Sequence, residues 1–310
     1  MRLSVTLLHI QLNPTVTTSG EFLKVVHLTD VHVQTRPRVS DMTLKRVLGS
    51  LNLYALGRHA KFSTAAQQAA ITATIEANPD VVIFTGDLTA QSLDSEFEAA
   101  RGLLQPILDK YPTVLIPGNH DTYVSEVNPG ERMRLHFSEW MRPSPHLHRF
   151  GEIGFLHIET CTSDLLSRGQ TTTAQLSKAT QLLAETHDCF VFVCLHYPLL
   201  NRHGSLYGPS SRANRNATDI LDWLAGTDRV GAVLHGHEHH GFTVDVHTKG
   251  GMVPIFNPGA SGYSHLPKKR RTSHINIYDV DKGGIHNLRR LQFDGTSFHD
   301  EPGGAYATRG

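Results

Sequence analysis

Asp80-Val-Val-Ile-Phe-Thr-Gly-Asp-Leu-Thr89 reads as a strand and the turn that leaves it. Val81 to Phe84 form a short apolar run between Pro79 and Gly86, the pattern of a strand covered on both faces. The run stops at a glycine and then presents Asp87. A carboxylate at the end of a central strand sits where open α/β sheets bind ligands. Its two oxygens could bridge two cations. Taken alone, Thr-Gly-Asp is also ordinary turn chemistry, and the neighbours must decide between the two readings.

Working outward, the same design repeats. Residues 22–29 form a strand that delivers Asp30-Val31-His32. Ser63 can cap a helix over 64–77, closed by Asn78-Pro79. A helix over 94–110, with Pro106 able to trim or kink it, leads to a short strand at 113–116 that delivers Pro117-Gly118-Asn119-His120-Asp121. This alternation is the signature of βαβ units. Further on come a short helix over 129–142, a hairpin over 147–160 and a helix over 173–187. Strand 190–195 delivers His196. A polar loop, 199–215, and a helix over 217–225 follow, and strand 230–234 delivers His235-Gly236-His237-Glu238-His239-His240. Strands at 242–247 and 253–257 precede an antiparallel hairpin, 273–280 with 285–293 around Gly283-Gly284.

Composition narrows the class. The 310 residues carry 29 Lys plus Arg and 29 Asp plus Glu, so net charge is zero. That argues against nucleic acid or an anionic membrane as the main partner, since both require excess positive charge. Cys161, Cys189 and Cys194 are scattered and odd in number, which fits reduced thiols in a cytoplasmic protein. No apolar run reaches the ~18–20 residues of a membrane span. Residues 1–20 read as an N-terminal extension, 21–300 as a single domain and 301–310 as a tail.

The polar residues at the strand ends are Asp30 and His32, Asp87, Asn119 and His120, His196, then His237 and His239. Polar groups converging on one sheet edge cost desolvation unless something charged satisfies them. Oxygen and imidazole donors without thiolate suit Mn, Fe, Zn or Co. Two such ions about 3.5–4 Å apart would clamp the attacking and leaving oxygens of a phosphoryl displacement.

The ordered set Asp30-Val-His32, Gly86-Asp87, Gly118-Asn119-His120-Asp121, His196 and Gly236-His237-Glu238-His239 resembles the five-block signature of calcineurin-like metallophosphoesterases, with a looser likeness to their bacterial cyclic-nucleotide phosphodiesterase-like branch. All five blocks are present in order across roughly 24–240. Any one block is weak evidence, and the abundance of histidine, 21 in all, makes single matches cheap. It cannot explain the matching Asp, Asn and Gly positions.

The resemblance implies an α/β fold, a two-sheet β-sandwich flanked by helices, holding two metal ions (Mn, Fe or Zn). It implies Asp30, His32, Asp87 and His239 around the first ion, and Asp87, Asn119, His196 and His237 around the second. The implied reaction is hydrolysis of a small phosphodiester by in-line attack of a metal-bridging hydroxide. His120 would steady the phosphoryl oxygens and protonate the leaving alkoxide, and Asp121 would orient His120. The alternatives are a pyrophosphate hydrolase on a nucleotide-sugar or lipid-linked substrate, a phosphomonoesterase, a nuclease, and a scaffold without catalysis. Substrate choice would fall to loops. The basic, partly apolar segment 33–62 leaves directly from the first block, and the loop 199–215, with Asn201, Arg202, His203, Tyr207 and Arg212, is placed to act as a lid. Tyr123 could stack on a ring. His27, inside the first strand, reads as a core or supporting residue, and His235 and His240 as bystanders.

Overall fold

A computed structural model describes residues 22–37, 58–122, 130–162 and 168–307. The extension 1–20, most of the segment 33–62, Tyr123 and the last three residues of the tail lie outside the described residues.

Among the described residues, twelve strands make two six-stranded sheets. The first has the order β12-β11-β10-β1-β2-β3 and the second β4-β5-β6-β7-β9-β8. In the first, β1 (Leu23–Leu28), β2 (Val81–Phe84) and β3 (Thr113–Leu115) run parallel. The antiparallel ribbon β10 (His274–Asp281), β11 (Gly284–Phe293) and β12 (Phe298–Asp300) extends it from β1. In the second, β5 (Ile153–His157), β6 (Phe190–Cys194), β7 (Ala232–Leu234) and β9 (Gly251–Asn257) are parallel, with β4 (His146–Phe150) and β8 (Phe242–Thr248) as antiparallel edges. The sheets are therefore mixed, and the pairing of β1 with β10 joins segments some 250 residues apart, beyond the reach of local pattern. The short strand β12 had no alternation to announce it.

Strand alternation decides what each layer buries. On β1 and β2, Val25, Val81 and Ile83 face the second sheet, where Phe155, Phe192 and Leu234 meet them, with Tyr278 of β10 beside Val25 in the same layer. Val26, Leu28, Val82 and Phe84 face outward and are covered by α1 (Thr64–Ala77) and α2 (Asp94–Leu108) through Ile71, Phe97 and Leu104. On the second sheet Leu156, Val191, Val193 and Ile255 face α4 (Thr173–Leu183) and α5 (Ala217–Ala225). The result is helix, sheet, sheet, helix. A short α3 (Glu131–Phe137) completes the first flank, burying Met133 and Phe137.

Local chemistry sets the helix ends. Ser63 Oγ accepts the Ala66 N–H at 3.1 Å, and Asn78 closes α1 at φ 47°, just before Pro79. Pro106 lies within the last turn of α2, which ends two residues later. At the sandwich centre, Phe192 stacks on Phe155 at 5.2 Å and tilts against Tyr278 at 5.9 Å. Phe192→Ala should lower stability by about 3–5 kcal/mol, because the rigid sheets cannot close over the lost ring. Urea unfolding measures it; a loss below about 1 kcal/mol would contradict the packing described.

Candidate metal centre

All the parallel strands point their carboxyl ends to one side of the sandwich. β1 delivers Asp30 and His32, β2 Asp87, β3 Asn119 and His120, β6 His196, and β7 His237 and His239. Four of these, Asp30, His32, Asp87 and His237, have φ between 52° and 68°. Non-glycine residues enter that region at a cost, and such strain gathers where a side chain must be aimed.

The carboxylates are aimed by hydrogen bonds to one oxygen each. Asp30 Oδ2 accepts from Thr29 Oγ1 at 2.8 Å and from His237 N–H at 3.0 Å. This leaves Oδ1 facing the rings of His32 (3.6 Å) and His239 (3.4 Å), buried and with no hydrogen-bond partner. Asp87 Oδ1 accepts the His120 N–H at 2.7 Å. Its Oδ2 lies between His32 Nε2 at 3.6 Å and His196 Nε2 at 3.5 Å. Two donor clusters thus share one oxygen. On one side stand Asp30, His32 and His239, with the two Nε2 atoms 3.2 Å apart. On the other stand His196 and His237, whose Nε2 and Nδ1 lie 3.0 and 2.7 Å from Asn119 Oδ1.

The imidazoles are oriented from behind, as ligating histidines require. His196 Nδ1 donates to the Thr85 carbonyl at 2.7 Å, so Nε2 is turned to the cluster. His239 Nδ1 lies 3.3 Å from the Tyr263 hydroxyl. His27, buried in β1, reaches Thr85 Oγ1 at 2.8 Å and so supports the residue that holds His196. Phe62 packs against His32 at 4.2 Å and Tyr263 at 4.9 Å, walling the first cluster.

Glycines allow the blocks to approach. A side chain on Gly86, at φ 100°, would meet Gly118 N and His196 Nδ1 at 2.6 Å. A Cβ on Gly118 would collide with Asp87 Oδ1.

Electrostatics test the fit of a cation. Two buried carboxylates, Asp30 and Asp87, converge with no Lys or Arg among their described partners. Burial resists their charge, yet the surrounding histidines hold both below the usual carboxylate range. Burial also resists charge on His196, but Asp87 prevails and raises it to about 9. His237 is driven the other way by burial and by His196. A carboxylate-rich pocket that can protonate only some of its imidazoles is one a divalent cation suits. The oxygen and nitrogen donors, the orphaned Asp30 Oδ1 and the absence of thiolate all agree with that.

His120 stands beside the first cluster, its ring 4.7 Å from that of His32. Burial lowers its pKa to about 4 against the pull of Asp87; an anionic ester beside the ring would push the other way. Asp121 does not orient this ring. Its carboxylate accepts from Leu88 N, Thr89 N, Thr89 Oγ1 and Gly118 N, tying the Gly118 turn to the chain leaving β2. The turn consumes both of its oxygens. The partner of His120 Nδ1 is the Ala90 carbonyl, at 2.6 Å.

Of the loop 199–215, Tyr207 approaches the centre. Its hydroxyl donates to Glu238 at 3.0 Å and its ring lies 5.9 Å from that of His237. Asn201 and His203 close a local turn instead. His235 Nδ1 donates to the Gly236 carbonyl at 2.9 Å, behind the centre. The three cysteines are free thiols. Among the described residues no helix is long and apolar enough to cross a membrane.

Residues 23–241 match the family model for the calcineurin-like phosphoesterases. A protein described as a probable cyclic nucleotide phosphodiesterase from Vesicomyosocius okutanii subsp. Calyptogena okutanii is 25% identical over 163 residues, 52% of this chain and 63% of its own. Another of that description, from a Pseudoalteromonas species, is 26% identical over 179 residues, 56% of this chain and 61% of its own. The chain thus spans about three fifths of the length of these relatives. Among solved structures, a dimetal phosphatase from Danio rerio superposes with a TM-score of 0.56 at 11% identity, covering 90% of this chain and 98% of that one. The purple acid phosphatase PPD1 of yellow lupin superposes with a TM-score of 0.59 at 15% identity, covering 91% and 53%. At these identities the likeness is one of fold.

Proposed function

The chain belongs to the calcineurin-like phosphoesterase family, and from that premise we propose that it is a binuclear metal-dependent hydrolase of phosphodiesters. The observation that carries the reading is the shared Asp87 Oδ2, 3.6 Å from His32 on one side and 3.5 Å from His196 on the other. Asp30, His32, Asp87 and His239 would hold one ion, and Asp87, Asn119, His196 and His237 the other. Bound there, two divalent ions supply Lewis acidity and lower the pKa of a water toward neutrality.

The chain's own residues supply the rest. His120 has its Nδ1–H engaged by the Ala90 carbonyl, so Nε2 is the atom that meets the ester. From there it steadies a phosphoryl oxygen and gives a proton to the departing alkoxide. Thr85, through its carbonyl, and Tyr263 keep the rings of His196 and His239 aimed at the centre. Phe62 and Tyr207 border the two clusters and restrict water on either side. The description of the two curated relatives makes a cyclic nucleotide the first diester to try.

The test is hydrolysis of bis-(p-nitrophenyl) phosphate against p-nitrophenyl phosphate, after chelation and again with Mn added. Cleavage should vanish with the metal, return with Mn and favour the diester. A preference for the monoester would move the assignment to a phosphatase. Two bound metals with neither ester cleaved would count against hydrolysis altogether.

A further inference from the structure

We infer that Glu96 is the positioning carboxylate for His120, acting through the peptide group that joins Ala90 to Gln91. Glu96 opens α2 and is fully buried. Its Oε2 accepts the Gln91 N–H at 2.8 Å and the Leu93 N–H at 3.3 Å. The Ala90 carbonyl, which receives His120 Nδ1 at 2.6 Å, belongs to the same peptide unit as the Gln91 N–H. A trans peptide is planar, so its C=O and N–H point in opposite directions as one rigid piece. Glu96 grips one end of that piece and His120 rests on the other. Fixing the N–H fixes the direction of the carbonyl, and bonding at the N–H also strengthens the carbonyl as an acceptor.

The bland account is a helix cap, since a Glu at this position commonly reaches back to the residue before the helix. That account requires the bond to Leu93 alone. The shorter bond goes to Gln91, outside the helix, on the segment that carries Ala90. The same segment is pinned twice more. Ala90 N–H donates to the Val33 carbonyl at 3.2 Å, and Ser92, at φ 56°, donates its hydroxyl to the Asp121 carbonyl at 2.9 Å. Carboxylate, peptide and imidazole thus form a chain. Burial raises Glu96 to about 7 against its backbone bonds, the cost of keeping it there.

The kinetic consequence rests on the reading of His120 as proton donor; the positioning does not. Three variants separate them: Glu96→Ala removes the bonds to Gln91 and Leu93, Glu96→Asp keeps a short carboxylate suited to capping but out of reach of Gln91, and Glu96→Gln keeps an oxygen for the Gln91 and Leu93 N–H groups. The first readout is the downfield imidazole N–H resonance of the metal-loaded full chain, assigned to His120 by its loss in His120→Ala. It should disappear or move upfield in Glu96→Ala and Glu96→Asp, and stay in Glu96→Gln. The second is turnover of diphenyl phosphate against bis-(p-nitrophenyl) phosphate, a poor and a good leaving group. In Glu96→Ala and Glu96→Asp, kcat on the poor leaving group should fall by about 10²-fold, and by much less on the good one, with KM and metal content unchanged. Glu96→Gln should restore both. A folded Glu96→Asp that keeps the resonance and the parental leaving-group dependence would overturn the inference and leave Glu96 a cap. If His120→Ala itself does not change leaving-group dependence while the resonance is still lost in the Glu96 variants, the positioning stands and the proton-donor role falls.

Discussion

Asp87→Ala should bind neither metal and hydrolyse nothing measurable above background. Among the described residues, Asp87 is the side chain whose oxygen lies between the two proposed clusters. Losing a residue that merely supports a ligand already costs 10–100-fold in metal affinity, so removal of a shared ligand should cost more than about 10²-fold at each position. If each ion lowers the barrier by several kcal/mol, at about 1.4 kcal/mol per decade, kcat/KM should fall by more than about 10³-fold. Alanine also removes the acceptor for the His120 N–H, so a disordered turn could mimic the result. Asp87→Asn separates the two effects. Its amide oxygen can take the place of Oδ1 under that N–H, while its NH2 group falls where Oδ2 faced His32 and His196 and cannot ligate. Both variants should therefore lose metal and activity, and Asp87→Asn should do so while unfolding as cooperatively as the parent. Elemental analysis of the purified variants decides it. Two metals per chain in Asp87→Asn would show that the clusters do not depend on a shared carboxylate.

The convergence of these residues was legible in the sequence because each block that carries a candidate ligand is short and follows a buried strand. Val81 to Phe84 could be read as a strand, and the strand places Asp87 at a sheet edge. The ordered recurrence of such blocks then identifies one edge. What was not legible lies in the backbone. The carbonyls of Thr85 and Ala90 hold His196 and His120, and a carbonyl is present at every residue, so neither leaves a mark in the sequence. Asp121, next to His120, invited a carboxylate–imidazole pair. The turn around Gly118 used both of its oxygens, because four N–H and O–H donors around a buried bend have to be satisfied. Phe62 and Tyr263 come from segments 200 residues apart and meet only through the fold. Glu96 did carry a signal, a Glu three residues after the helix boundary, but that signal announces a cap and says nothing of Gln91. The sheet order was likewise closed to local reading: alternation predicts that 273–280 is a strand, and nothing local says that it lies beside β1.

His120→Ala should behave in the opposite way to Asp87→Ala, retaining metal and losing turnover. The ring nitrogen of His120 comes within 4.8 Å of the ligand atoms of His32 and Asp87, close enough to be counted with them. Three observations set it apart. Its Nδ1 is taken by the Ala90 carbonyl, which leaves a single nitrogen for the site. Its ring is half-buried, where the rings of His32, His196 and His237 are buried. And the Asp87 oxygen it could share is already bracketed by His32 and His196. A group so placed touches what enters from solvent, and a positioned proton donor contributes typically 10²–10⁴-fold. Turnover of an ester with a poor leaving group should fall within that range, and bis-(p-nitrophenyl) phosphate, whose leaving group departs without a proton, should suffer far less. The metal-to-protein ratio should match the parent. A variant that loses one metal would make His120 a ligand and would leave the leaving group to be protonated by water or by Tyr207, whose hydroxyl is held at 3.0 Å by Glu238 on the far side of the centre. A Tyr207→Phe variant with unimpaired turnover would then exclude that route as well.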